Sequence, residues 1–102
     1  MAAFPLSKRA ATRRFKRFNQ RPNVLAATRR LKAVPGPEIS EMTAQMVKLA
    51  RAAFSLQLTP ALHKRAIEKL AATSSIPLAD LHVLAMRELE QMLFDTVTGT
   101  AP

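Results

Sequence analysis

The sequence holds no cysteine, no tryptophan and no tyrosine, and only two glycines in 102 residues. Without thiols there is no disulfide framework, no zinc–thiolate site and no cysteine nucleophile. With glycine confined to Gly36 and Gly99, there is no glycine-rich loop to cradle a phosphate. No apolar run approaches the ~18 residues that a membrane-crossing helix needs, and none follows Met1 as a secretory signal would. The expectation is a chain with no membrane span that is not secreted. The most informative shortage is regional: residues 1–37 contain no acidic side chain.

That shortage splits the molecule. The net charge is +9, from sixteen Lys or Arg against seven Asp or Glu. Ten of the cations lie in residues 1–37: Lys8, Arg9, Arg13, Arg14, Lys16, Arg17, Arg21, Arg29, Arg30 and Lys32. Residues 38–102 carry six basic and seven acidic side chains, a net of −1. Pro35-Gly36-Pro37 stands at the boundary and reads as a linker. Residues 1–37 are therefore expected to be a basic, extended N-terminal arm. It has too few large apolar residues to order without a partner, on which 8–18 and 24–33 would form short helices.

Such an arm suits a polyanion. Cations released onto phosphates gain free energy by displacing counterions, and arginine forks onto phosphate oxygens. Phe15 and Phe18 sit among Arg13, Arg14, Lys16 and Arg17. A ring there would stack on an unpaired base for about 1–3 kcal/mol. The ten cations and Phe15 are thus candidate nucleic-acid contacts. Two other readings fit the same composition: a mitochondrial presequence, and a solubilising tail with no fixed partner.

From residue 38 onward the pattern is that of a small, mainly α domain. Ile39, Met42, Met46, Leu49, Ala50 and Ala53 recur at helical spacing and predict a helix over 39–52. Residues 54–58, FSLQL, alternate apolar and polar and predict a short strand; continuation of the helix to 58 is the rival reading. Thr59-Pro60 is a cap-and-proline start for a helix over 60–73. Its stripe is Leu62, Ala66, Ile67, Leu70 and Ala71, with His63, Lys64 and Arg65 facing away. Pro77 opens a helix over 77–96 whose stripe runs through Leu78, Leu81, Ala85 and Leu89. A 65-residue domain buries little core, so neighbouring chains are expected to support it.

Catalytic and metal constellations are not legible. His63 and His82 lie nineteen residues apart, without a carboxylate cluster, and a zinc site needs at least three protein ligands. Glu88 and Glu90, two apart, do not share a helix face. The expectation is a non-enzymatic protein with no cofactor and no metal.

The segments FSLQLTP, ALHKRAIEKLAA and SSIPLADLHVLAMREL, within residues 54–93, resemble the ribbon-helix-helix family of DNA-binding proteins. The resemblance implies an intertwined homodimer whose paired strands enter the major groove. Ser55 and Gln57 would be its outward, base-reading residues, and the N-terminus of its second helix would grip a phosphate. Transcription regulation in the cytoplasm or at the nucleoid would follow. Two further functions remain open beside it. One is an RNA-binding structural subunit of a ribonucleoprotein such as an organellar ribosome. The other is a helical accessory subunit of a mitochondrial complex, with the arm as its presequence.

Overall fold

Each helix begins where the sequence supplies a cap or a proline. In the computed structural model, residues 6–99 are described and form α1 (Lys8–Asn19), α2 (Pro22–Lys32), α3 (Gly36–Phe54), α4 (Pro60–Ala72) and α5 (Leu78–Thr98). Ser7 caps α1, its hydroxyl accepting from the Ala10 amide at 3.1 Å. Thr59 does the same for α4 with Leu62 at 3.2 Å. Pro22 and Pro60 occupy first-turn positions, where the missing amide costs nothing. At the far end, Gly99 closes α5 with φ 74°, a left-handed conformation that glycine adopts without penalty.

Helix α5 packs against each of the other four. It sits between a basic hairpin, α1–α2, and a second pair, α3–α4. The core joins Leu31 of α2, Met42 and Met46 of α3, Ile67 of α4, Ile76 of the last loop, and Leu81, Leu84 and Ala85 of α5. A latch fixes the start of α3 to the α4–α5 loop. The Glu38 carboxylate accepts from the Ser75 hydroxyl at 2.5 Å, the Ser75 amide at 2.9 Å and the Ser74 hydroxyl at 3.3 Å. These bonds hold the Glu38 carboxyl below its ordinary range, the Ser75 hydroxyl contributing most.

Three expectations are corrected. There is no strand at 54–58, nor any strand among the described residues. Phe54 ends α3, and the chain reverses through a tight turn that satisfies its own amides. The Leu56 amide donates to Ala53 O at 3.1 Å and the Gln57 amide to Ala52 O at 2.8 Å. A ribbon needs a strand, so the ribbon-helix-helix fold is excluded, and the intertwined homodimer that it implied loses its basis. The short alternation at 54–58 does not outweigh the C-terminal turn of a nineteen-residue helix. Second, the expected arm, whose residues 1–5 lie outside the described residues, is not extended over α1 and α2: these helices pack on α5 and bury Ala11, Phe18, Val24, Ala27 and Leu31. The linker shrinks to Ala33–Pro35, and Gly36 and Pro37 belong to the first turn of α3. Third, His63 faces inward and is only 8% exposed.

Candidate nucleic-acid interface

The hairpin has an inner and an outer face, and arginine serves both. On the inner face, Arg14 forks onto Glu90 of α5, with Nε to Oε1 and Nη2 to Oε2 both at 2.8 Å. Arg30 grips Asp80 through Nε (2.9 Å to Oδ2) and Nη2 (2.8 Å to Oδ1). Asp80 is 2% exposed, so this guanidinium compensates a carboxylate that water does not reach. Both guanidinium pKa values are raised, chiefly by these hydrogen bonds. The carboxylate charges add to the effect, and loss of hydration opposes it. Arg87 of α5 also donates to the Thr28 hydroxyl of α2.

The aromatic side chains are committed inward as well. Phe15 stacks on Phe94 of α5, with ring centroids 4.7 Å apart and planes at 17°. Phe18 is buried beneath the Arg21 guanidinium, which lies 5.6 Å from its ring centre. These rings dock the hairpin onto α5.

Two of the ten cations are thus committed to α5. The other eight, Lys8, Arg9, Arg13, Lys16, Arg17, Arg21, Arg29 and Lys32, are exposed and form no ion pair among the described residues. Arg13, Arg14, Arg17 and Arg21 converge on one cleft of about 460 Å³, floored by Phe18 and holding Glu90. Four guanidinium groups against one carboxylate, itself forked by Arg14, leave the cleft strongly cationic. Ser55 and Gln57 do not belong to it. Ser55 caps the C-terminal end of α3, its hydroxyl donating to Arg51 O at 2.9 Å, and Gln57 lies exposed in the turn that follows. The base-reading role assigned to both falls with the strand.

Sequence reasoning missed Asp80 and Glu90 as the partners of the basic segment. The available signal was an acid beside the apolar stripe of α5, in a chain whose remaining excess charge is positive. Among the described residues no group of three or more His, Cys, Asp or Glu is placed to hold a metal, and no helix is long and apolar enough to cross a membrane. Compared with protein-family models, curated proteins and solved structures, the chain matches none.

Proposed function

We propose that this chain is a non-enzymatic nucleic-acid-binding protein that grips the phosphate backbone with the outer face of α1 and α2. The observation that carries this reading is the set of eight exposed cations that form no ion pair among the described residues, on a hairpin anchored by two further arginines. An anchored hairpin presents its charges without first paying the entropy of ordering a loose arm. Because Phe15 and Phe18 are used internally, the outer face offers no aromatic platform for bases among the described residues. Binding on this reading is driven by phosphates and is largely indifferent to sequence. The same anchoring disfavours a cleaved presequence: loss of residues 1–35 would leave buried Asp80 and Glu90 without Arg30 and Arg14.

Fluorescence anisotropy with labelled duplex DNA, duplex RNA and single strands tests the proposal. If about six phosphates are neutralised, affinity for duplex should fall roughly a thousandfold between about 50 and 200 mM salt, with little change on scrambling the sequence. Absence of binding at low salt, or binding indifferent to salt, defeats the reading.

A further inference from the structure

Away from the arginine cleft, α3, α4 and α5 enclose a second groove of about 480 Å³ with different chemistry. Its walls include Ala53, Leu58, Ile67, Met86 and Leu89, with Leu56 at the turn that borders it. Leu56 is 90% exposed and holds φ 62°, a left-handed conformation that costs a leucine free energy. Met86 is also exposed. The polar groups are few and of one kind. His63, Lys64 and His82 line the groove, and among the described residues no carboxylate does. His63 is more than nine-tenths buried, and its Nε2, closed to solvent, has no hydrogen-bond partner among the described residues. An unpartnered buried nitrogen is costly, and a ligand that engaged it would recover that cost.

We propose that this groove binds a small anionic amphiphile, a carboxylate on an unbranched apolar chain. The carboxylate would engage His63 Nε2, which the imidazole presents by turning toward the groove, with Lys64 and His82 nearby, and the chain would lie on Ile67, Met86 and Leu89. The volume falls within the range of about 300–1,000 Å³ usual for small-molecule sites. Charge complementarity selects this occupant over a second copy of the chain, because a second copy would set the same His63, Lys64 and His82 against this groove. Nucleic acid is the weaker fit, since the lining is mainly apolar. The site is independent of the phosphate-binding reading and stands or falls separately.

Proton linkage supplies a distinctive signature. Burial and then the charge of His82 push the His63 pKa below its ordinary value. His82 faces it from α5 and Lys64 flanks it on α4, while α3 contributes the uncharged Ala53 to the lining. A bound carboxylate favours the imidazolium, so binding takes up a proton and strengthens as pH falls from about 8 toward about 6.

The test is a ¹⁵N–¹H NMR titration of the full chain with octanoate, octanol and decanoate. Octanoate should saturate with Kd near ~1 mM, octanol should bind about tenfold more weakly, and decanoate about tenfold more tightly, as two added methylenes dictate. Shifts should centre on Ala53, Ile67, Met86 and Leu89. Met86→Glu, at an exposed position, should weaken decanoate about tenfold while unfolding stays cooperative. His63→Phe should reduce the pH dependence. The proposal is overturned if octanol matches octanoate, if shifts centre on Arg13–Arg21, if Met86→Glu leaves affinity unchanged, or if no saturation occurs below about 5 mM. A stable dimer that hides the groove would overturn it too.

Discussion

The two helix pairs that flank α5 dock by different means. The α3–α4 pair packs mainly through apolar side chains, Met42, Met46 and Ile67 against Leu81, Leu84 and Ala85. The α1–α2 pair also buries apolar residues, but it adds two guanidinium–carboxylate forks and a stacked phenylalanine pair. The difference shows how a segment with no acid of its own can fold. Its inward cations are matched by acids carried on a neighbouring helix, and only its outward cations remain as net charge. The same residue type therefore plays two roles one residue apart: Arg13 lines an open cleft and Arg14 also holds Glu90.

The largest expected effect breaks the comparison on the outer face alone. Replacing Arg13, Arg17 and Arg21 together by glutamine should free up to three phosphates from the protein. The slope of log affinity against log salt should drop by about one for each phosphate that is no longer neutralised. The far-ultraviolet circular dichroism and the unfolding midpoint should change little, because Arg13 and Arg17 make no ion pair among the described residues and Arg21 contributes only a surface contact to Phe18. An unchanged slope with intact structure would show that the cleft does not meet phosphate.

The inner face predicts the opposite pattern. Arg14→Met leaves the Glu90 carboxylate, 9% exposed, without its partner. Arg14 is itself 53% exposed, so solvent moderates the loss, and a cost of about 1–2 kcal/mol is expected rather than that of a fully buried pair. Glu90→Gln should cost a similar amount. The double variant should recover part of the sum, because neither charge is then left alone. Urea denaturation of the four proteins closes the cycle, and simple additivity would show that the fork contributes no coupling.

What the sequence makes legible follows the same division. The α3, α4 and α5 helices are legible to within a few residues, because each has an apolar stripe and a cap or proline at its start. The expected 39–52, 60–73 and 77–96 are found as Gly36–Phe54, Pro60–Ala72 and Leu78–Thr98. In the basic segment the helices expected at 8–18 and 24–33 are found as Lys8–Asn19 and Pro22–Lys32, but their docking on α5 is not legible. Read alone, the segment has too few apolar residues to order, and the acids that let it dock lie about fifty to seventy-five positions downstream. Local composition cannot register such a pairing. His63 is misread for a related reason: a histidine between Leu62 and Lys64 reads as polar, yet the packing turns it inward and leaves Leu62 exposed. The candidate site is legible as a set of cations, but not as the division between Arg14 and Arg30, which anchor, and the eight that face outward.

The smallest effect sharpens the comparison on the apolar side. His63 has its pKa pushed down in the folded protein, first by burial and then by the charge of His82. The unfolded chain therefore binds a proton more readily than the folded one between the lowered value and the ordinary 6.5. Stability is full above that window and declines as pH falls through it. Urea midpoints at about pH 7.5, 6.5 and 5.5 should step downward, and in His63→Phe the step should shrink. Below about 4.5, protonation of Glu38 adds a second loss, since its folded-state pKa is lowered and its bonds to Ser74 and Ser75 then weaken. Hydrogen exchange locates the first loss. If amides of α4 open earlier than those of α2 as pH falls to about 5.5, the titrating group lies in the α3–α4 half. Earlier opening of α2 than of α4 would mean that His63 does not set the pH response.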